Sequence, residues 1–321
     1  MGGVDSEFVK SFKQYYPNYG DISIKTVYKD YLTCMLQYSI SSKDYFAYDW
    51  LNRSDYARKD YITNRKNDEL YLKYDDQTLC PIMADKVKFN THYKDFIQRD
   101  WLFIDADATK DAFVSFCRKH DRIIVKPKDG QRGNGVRIVD VRTEESIGKA
   151  WTEVSNKQLL VEEVLIQGDL AQFHPQSVNT VRISTAIDKE GMPHIMASSI
   201  RFGRGENFVD NAHSGGVFCG IDVESGMIIS PGIDKSNTHY LYHPDTKRPF
   251  LGYIIPQWSE LKKTAIKAAK VLPGLRYIGW DWVLCKDGHW ELLEGNEPGN
   301  PDVLQLGLGR GLYSKYKSIL Q

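Results

Sequence analysis

Three oxygen-bearing side chains near the end of the chain have a spacing that could build a metal site. The stretch 277–302 reads YIGWDWVLCKDGHWELLEGNEPGNPD, with β-prone residues on both sides of Asp287-Gly288. Because this dipeptide tolerates the positive φ angles of a two-residue turn, the stretch predicts a hairpin of two antiparallel strands. Counting outwards from that turn places Asp281 opposite Glu294.

The alternation of a β-strand gives this hairpin two different faces. Asp281, Glu294 and Asn296 share one face, with Asn296 opposite Gly279. The residues expected on the other face are apolar: Trp280, Trp282 and Leu293. Facing carboxylates have Cβ atoms about 4.5–5.5 Å apart and repel each other, so one must be protonated or a cation must lie between them. Two carboxylates and an amide oxygen suit Mg²⁺ or Mn²⁺, and the alternative is an exposed face whose acids point into water.

A glycine-rich segment in the middle of the chain could approach phosphate groups. The sequence RIIVKPKDGQRGNGVRIVDV predicts a strand over 123–126 that Pro127 ends, and a returning strand over 136–141. Between and beside these strands lie glycines and cations suited to phosphate oxygens: Lys126, Lys128, Gly130, Arg132, Gly133 and Gly135. No Gly-Lys-Ser/Thr follows and no helix starts there, so neither a P-loop nor a dinucleotide-binding turn is indicated. A long hairpin turn is the alternative.

Two arginines in apolar strands indicate a further charged site. Arg182 and Arg201 lie in consecutive β-prone runs over 178–188 and 193–203. Because a buried arginine is rare without a partner, each of them meets a fixed acid or awaits an anionic ligand. The polar, glycine-rich segment that follows suits an active-site loop, where His213 could be a base, a substrate contact or simply a solvated side chain.

The remaining elements follow from hydrophobic periodicity. Aromatic residues at helical spacing predict a mostly helical region over 1–80, with its tyrosines in the core. Helices are predicted near 7–16, 24–38, 43–64, 85–100, 110–120, 143–155, 259–272 and 304–320, a further strand over 159–164, and a strand with a turn over 217–229.

Composition limits the classes of protein and partner. The 321 residues include 42 basic and 42 acidic ones, and this balance gives no electrostatic basis for binding nucleic acid or an anionic membrane. Five widely spaced cysteines without a CxxC pair indicate reduced thiols in the cytoplasm, not disulfides or zinc. No apolar run approaches the roughly 18 residues of a membrane span, and the N-terminus lacks a signal-peptide core.

Several motifs resemble, in order, those of the ATP-grasp superfamily, and in particular the branch associated with sugar transfer and capsule or exopolysaccharide loci. A further likeness is to glutamate-adding ligases. The motifs are DK at 85–86, VKP with GQRGNG at 125–135, VEEV at 161–164, NTVR at 179–182, the segment from Arg201 through Asn211 to Gly215-Gly216, GWDW at 279–282 and EGN at 294–296. Each motif alone is weak, but their shared order over roughly 82–306 is specific.

The resemblance implies an α+β fold, the ATP-grasp fold, in which two α+β subdomains grip ATP. The implied divisions are a helical N-terminal region (1–80), a subdomain with the glycine loop (81–163) and a subdomain with the metal site (164–321). The implied nucleotide contacts are Lys86, Lys126, Gly130, Arg132, Gly133, Gly135, Glu162, Glu163 and Val164, the last three forming the adenine hinge. The implied ligands of Mg²⁺, or of Mn²⁺, are Asp281, Glu294 and Asn296. The implied catalytic residues are Arg182 and Arg201, at the γ-phosphate or an acceptor carboxylate, and Asn211 beside the metal.

The activity that the resemblance implies is ATP-dependent ligation of a carboxylate to an amine through an acyl-phosphate. The acceptor would be a small molecule, a glycan precursor or a peptide, as in polysaccharide biosynthesis. A kinase or phosphotransferase on the same scaffold and a non-catalytic nucleotide-binding protein stay open. Two features depart from the family pattern. The usual N-terminal α/β domain is not evident, and Gly279 stands where some relatives have an arginine, so Arg182 or Arg201 has to supply that guanidinium.

Overall fold

The computed structural model describes residues 4–17, 22–130, 134–205 and 215–321. In these ranges helices and turns precede Trp101, and the strands begin there. The helices before that point are α1 (Ser6–Tyr15), α2 (Ile24–Tyr38), α3 (Ser42–Ala47), α4 (Asp55–Asp60), α5 (Asn64–Tyr74), α6 (Cys80–Ala84) and α7 (Lys86–His92), with 3-10 turns at Trp50–Asn52 and Lys94–Phe96. The predicted helical N-terminal region is therefore present.

One predicted helix, over 43–64, is instead broken into short pieces. Asp49 adopts a left-handed conformation with φ 53°, which a helix interior does not accept. Ser41 and Ser54 each accept a hydrogen bond from a backbone N–H three residues later, and so begin new helices. The pieces are held by a core of aromatic side chains that includes buried Phe8, Tyr45, Phe46, Trp50 and Tyr61.

A four-stranded antiparallel sheet follows the N-terminal helices. Its strands are β1 (Trp101–Ile104), β2 (Arg122–Pro127), β3 (Arg137–Asp140) and β4 (Leu159–Glu163), in the order β1-β4-β2-β3. Helices α8 (Lys110–Cys117) and α9 (Glu144–Val154) cover it, and Phe113, Ile123, Ile147 and Val161 form the shared core. Pro127 ends β2, as expected for a residue without a backbone N–H.

A seven-stranded antiparallel sheet forms the larger part of the molecule. Its strands are β5 (Thr180–Ile187), β6 (Pro193–Phe202), β7 (Val217–Ile221), β8 (Gly232–Ile233), β9 (His239–Tyr240), β10 (Tyr277–Leu284) and β11 (Trp290–Asn296), in the order β11-β10-β5-β6-β7-β8-β9. Helix α10 (Trp258–Ala269) packs its apolar residues with those of β5 and β10. The predicted closing helix is divided by Gly309, with φ 63°, into α11 (Asp302–Leu308) and α12 (Tyr313–Leu320).

The turn between β10 and β11 is one residue longer than predicted. The N–H of Cys285 donates to the carbonyl of His289, so the turn consists of Lys286–Gly288. Gly288 has φ 90°, a conformation that glycine adopts without a steric penalty. The two-residue turn was therefore wrong, and the strand pairs next to it are shifted by one residue, with Leu284 opposite Trp290.

A β-bulge in β11 cancels this shift before the predicted site. Trp282 pairs with Leu292 while Asp281 pairs with Glu294, so Leu293 is the extra residue of the bulge. From there on the predicted register holds, and Asp281 lies opposite Glu294. All five cysteines are free and buried. Among the described residues, no helix combines the length and the hydrophobicity needed to cross a membrane.

Candidate functional site

A cavity of about 800 Å³ lies between the two sheets. Its walls come from both sheets, from the segment 162–167 that joins them, and from the helical N-terminal region. Its size is that of a site for a substrate or cofactor. Most of the predicted site residues line it: Lys86, Lys126, Gly130, Glu162, Glu163, Val164, Arg182, Arg201, Asp281, Glu294 and Asn296.

The centre of the cavity wall is a buried carboxylate held by two arginines. Oδ1 of Asp281 accepts from Arg182 Nε at 2.5 Å, and Oδ2 accepts from Arg182 Nη2 at 2.9 Å and Arg201 Nη2 at 2.8 Å. The side chain of Asp281 is only 1% exposed. Burial alone would raise its pKa, but the two guanidinium groups lower the pKa to about 2. Both arginines therefore meet a fixed acid, which is the first of the two alternatives that the sequence left open.

Strand pairing explains why these three side chains meet. Asp281 is directly opposite Arg182 on β5, and Arg201 on β6 is opposite Thr180, one alternation further along the same face. Arg182 also crosses the space beside Gly279, because a Cβ added to Gly279 would lie 3.1 Å from Arg182 Nη1 and 2.6 Å from the carbonyl oxygen of Gly299. A guanidinium from the neighbouring strand thus occupies the space beside this glycine.

Glu294 and Asn296 lie next to Asp281 on the side that faces the cavity. Glu294 is accessible from the cavity, yet the surrounding protein, and next the charge of Asp281, raise the pKa of its carboxyl group. Asn296 Nδ2 donates to Glu294 Oε1 at 3.3 Å. Two effects therefore reduce the expected repulsion between the facing acids. The arginines keep Asp281 ionised, and the raised pKa of Glu294 lets it take up a proton more readily.

The donor set of this face fits a hard divalent cation. Asp281, Glu294 and Asn296 all line the cavity, and Mg²⁺ prefers oxygen ligands with places left for phosphate and water. Both oxygens of Asp281 already accept from arginines, so a cation would share that carboxylate with them. In the described ranges no cluster of three or more His, Cys, Asp or Glu side chains has the geometry of a metal site, so a cation here would depend on the amide and on oxygens from a substrate. Leu293, predicted on the apolar face, lines the cavity instead, because it is the residue of the bulge.

The opposite wall holds a chain of buried charges. Lys126 Nζ lies 2.5 Å from Glu162 Oε2, and Arg99 Nε lies 3.2 Å from Glu162 Oε1. Arg99 Nη1 donates to Glu291 Oε1 at 2.6 Å. Burial opposes ionisation of Glu162, but Arg99 and Lys126 lower the pKa of its carboxyl group to about 2. The pKa of Lys126 is lowered, first by burial. Two basic and two acidic side chains thus alternate within this wall.

The glycine loop is attached to the same wall through Lys86. Its backbone N–H donates to the carbonyl of Lys128 at 3.1 Å, and its Nζ donates to the carbonyl of Gly130. Burial lowers the pKa of Lys86, and the charge of Lys126 lowers it further. Gly135 has φ 75° at the far end of the loop and lies outside the cavity lining. Arg132, Gly133, Asn211 and His213 lie outside the described residues.

The predicted hinge divides into two parts. Glu162 pairs with strands on both sides and directs its carboxylate to Lys126. At the end of β4, the N–H of Glu163 donates to the carbonyl of Asp100, and Glu163 Oε2 accepts from the N–H of Asp100. Val164 follows the strand and lines the cavity. The apolar residues near it are Ile124, Val136, Ile138, Leu165 and Ile166. This apolar end is the part of the cavity suited to a planar base.

Sequence reasoning did not single out Arg99, which lines the cavity, or Glu291, the buried acid to which Arg99 donates. Glu291 falls, by the alternation of β11, on the same side as Leu293, and an acid on an apolar face is a signal that could have identified it. Arg99 has no comparable local signal, because its partners are remote in sequence. The wall from the N-terminal region, with Asp44, Tyr48 and Asn64, was likewise not predicted.

Comparison with known proteins identifies the family of the chain. The family model described as sugar-transfer associated ATP-grasp matches residues 65–321. A search of curated proteins gives no match. The predicted resemblance to this family is confirmed.

Solved structures with a similar fold include three enzymes. ATP-grasp ligase PsnB, complexed with a phosphomimetic variant of its minimal precursor, Mg and ADP, is 15% identical over 77% of this chain and 60% of that chain, with TM-score 0.47. D-alanyl-alanine synthetase A from Vibrio cholerae is 15% identical over 74% and 63%, with TM-score 0.45. N5-carboxyaminoimidazole synthase from Aspergillus clavatus, in complex with ADP and 5-aminoimidazole ribonucleotide, is 10% identical over 81% and 59%, with TM-score 0.47. The chain spans less than two thirds of the length of each of these structures.

Proposed function

The chain belongs to the sugar-transfer associated ATP-grasp family and has its α+β fold, and from this premise we propose that it is an ATP-dependent ligase that joins a carboxylate to an amine through an acyl-phosphate. One arrangement carries the proposal. A single cavity brings the cations Lys126, Arg182 and Arg201 next to the oxygen ligands Asp281 and Glu294. This is the set of charges that transfer of a phosphoryl group between a nucleotide and an acid requires.

The first step makes the carboxylate reactive. A carboxylate oxygen of the acid forms a bond to the γ-phosphorus of ATP, the bond from that phosphorus to the β-γ bridging oxygen breaks, and ADP leaves. The chain contributes positioning and charge: Arg182 and Arg201 face the transferred group, and Lys126 faces the phosphates. Mg²⁺ (or Mn²⁺), when held by Asp281, Glu294 and Asn296, would neutralise phosphate charge.

The second step forms the product bond. The amine nitrogen attacks the acyl carbon, the bond from that carbon to the phosphate oxygen breaks, and inorganic phosphate and an amide are released as the nitrogen loses a proton. An acyl-phosphate is destroyed by water, so the cavity must be closed during this step. The glycine loop, attached at Lys86, is the segment we assign to this closure.

The substrate class is a further part of the proposal. The family description associates it with sugar transfer, which favours a glycan precursor as acceptor, with a peptide or another small molecule as the alternative. The polar wall supplied by Asp44, Asn64 and Asn67 offers donors and acceptors beyond the phosphate-binding cations. The free thiols and the need for ATP support a cytoplasmic location.

A trapping assay tests the reaction without knowledge of the amine. The protein is incubated with MgATP, a panel of uronic acids, amino acids and peptides, and hydroxylamine, which converts an acyl-phosphate to a hydroxamate. The expected result is hydroxamate and ADP in equal amounts for at least one acid, and the loss of both in the Asp281→Asn variant. With an ¹⁸O-labelled acid, one label must appear in the released phosphate.

Two outcomes would contradict the ligase. ADP formation that gives a stable phosphorylated acceptor and no hydroxamate would indicate a kinase. Equal, near-zero turnover in the parent and in Asp281→Asn, with MgATP still bound, would indicate a non-catalytic nucleotide-binding protein.

A further inference from the structure

We propose that Arg99 is a positioning residue for nucleotide phosphates, which acts by holding Glu162 and, through it, the ammonium group of Lys126. The inference rests on the nucleotide binding of the proposed function but not on the identity of the acid or the amine. Arg99 belongs to none of the motifs that resemble the family, and it precedes β1 on a short connection after the 3-10 turn.

Arg99 connects the two sheets at the base of the cavity. On one side Nη1 donates to Glu291 Oε1 at 2.6 Å and to the carbonyl of Leu292 at 2.7 Å, both on β11 of the large sheet. On the other side Nε lies 3.2 Å from Glu162 on β4 of the small sheet. The guanidinium is rigid and planar, and its side chain is 1% exposed, so it holds Glu291 through a hydrogen bond and Glu162 through a close ion pair.

Glu162 passes this constraint to Lys126. Its Oε1 faces Arg99 and also accepts from Asn90 Nδ2 at 3.3 Å, while its Oε2 lies 2.5 Å from Lys126 Nζ. With one oxygen anchored, the carboxylate has little freedom to turn, and the ammonium is held at the cavity wall. Lys126 is flexible by nature, with four rotatable bonds in its side chain, so this anchor removes the conformational freedom that phosphate binding would otherwise have to restrict.

Geometry explains why the anchor has to be an arginine. Glu162 and Glu291 are both buried, with Lys126 beside Glu162 and His289 Nε2 3.3 Å from Glu291 Oε2, and Arg99 reaches both carboxylates. Without Arg99, the Glu162 carboxylate would draw the lysine towards itself and away from a ligand. A lysine at position 99 would keep the charge but could not contact both carboxylates with one planar group. The Arg99→Lys variant therefore distinguishes the effect of charge from the effect of geometry.

The test measures binding of two probes, MgADP and adenosine, by titration calorimetry. The variants are Arg99→Lys, Arg99→Met, Lys126→Met and the double variant Arg99→Met with Lys126→Met. Arg58→Met serves as the matched control, because Arg58 is also largely buried and paired with a carboxylate, Asp30 at 2.8 Å, within the N-terminal helices. The Arg99→Met variant with Glu291→Gln restores the charge balance but not the anchor.

The expected result is a loss of MgADP affinity of about tenfold or more in Arg99→Met, with adenosine affinity within about twofold of the parent. Arg99→Lys should lose part of this affinity, and Glu291→Gln should not restore it. In the Lys126→Met background, exchange of Arg99 should have almost no further effect, since the residue that it positions is already gone. Arg58→Met should change neither affinity.

Several results would overturn the inference. An equal loss of affinity for MgADP and adenosine, or the same loss with and without Lys126, would mean that Arg99 only stabilises the fold. Restoration by Glu291→Gln would mean that net charge, not position, matters. If Arg99→Met does not fold, Arg99→Lys is judged by the same criteria. A parent protein that binds no MgADP would refute both this inference and the proposed function, whereas a parent that binds MgADP but forms no acyl-phosphate would leave this inference intact.

Discussion

Replacement of Asp281 by asparagine removes a carboxylate that two buried arginines share, and its cost can be worked from the structure. The pKa of Asp281 falls from 3.8 to about 2 in the folded protein. A pKa difference of this size corresponds to about 2 kcal/mol of stability at neutral pH. Leaving buried guanidinium groups without their carboxylate has cost about 3–5 kcal/mol in other proteins. We expect the free energy of unfolding to drop by roughly 2–4 kcal/mol at pH 7.

The pH dependence of this loss provides a sharper test. Because the pKa of Asp281 is depressed on folding, its contribution is complete above pH 3.8 and is lost as the pH falls towards 2. The difference between parent and Asp281→Asn should therefore narrow below pH 4. Urea unfolding followed by tryptophan fluorescence, from pH 7 to pH 3, measures this difference.

A matched control separates burial from ion pairing itself. Asp140 is also paired with an arginine, Arg142, but both side chains are exposed to solvent. Asp140→Asn should leave the unfolding midpoint unchanged, because a surface ion pair contributes little. The reasoning is refuted if Asp281→Asn is as stable as the parent at pH 7, or if the difference stays constant down to pH 3.

Three further substitutions test other parts of the site. Lys126→Met should weaken MgATP binding by about tenfold or more and leave adenosine binding nearly unchanged, as calorimetry can show, and an equal loss for both ligands would contradict a phosphate contact. Glu162→Gln should lower the free energy of unfolding at pH 7 by about 3 kcal/mol, because the pKa of Glu162 falls from 4.5 to about 2 on folding. That loss should shrink as the pH falls below 4.5, and a pH-independent loss in urea unfolding would speak against it. Gly279→Ala should destabilise the protein by about 1–3 kcal/mol, since its Cβ would lie 2.6 Å from the carbonyl oxygen of Gly299. Gly148→Ala, in a helix with nothing within 4 Å of the new Cβ, should be neutral or stabilising in thermal unfolding, and a similar loss in both variants would argue against the steric explanation.

Local patterns predicted the elements well where packing agrees with them. Strand β4 occupies 159–163 within the predicted 159–164, and β5 and β6 follow the two apolar runs that carry the arginines. Alternation is a local property, because each side chain points to the face opposite its neighbour's. The same property placed Asp281 and Glu294 on one face of the hairpin.

Features that depend on remote residues could not be predicted in the same way. The turn at Lys286–Gly288 and the bulge at Leu293 each shift the register by one residue in opposite directions. The two shifts cancel before the site residues, so the sequence spacing does not reveal them. The correct pairing of Asp281 with Glu294 was therefore predicted from an incorrect turn. Arg99 is identified only through partners on β4 and β11, which the fold brings together from distant parts of the chain.

Three cations of the cavity wall are paired with acids before any ligand enters. Asp281 holds Arg182 and Arg201, while Glu162 holds Lys126, so each of these three cations has an acid within 3 Å. Cations packed together without such acids would repel each other in a poorly solvated site. The acids thus hold the cations in place. In the proposed reaction a phosphate would join this existing network instead of creating one. Binding would then cost little rearrangement, because the groups proposed to stabilise the transferred phosphate are already held at the cavity wall.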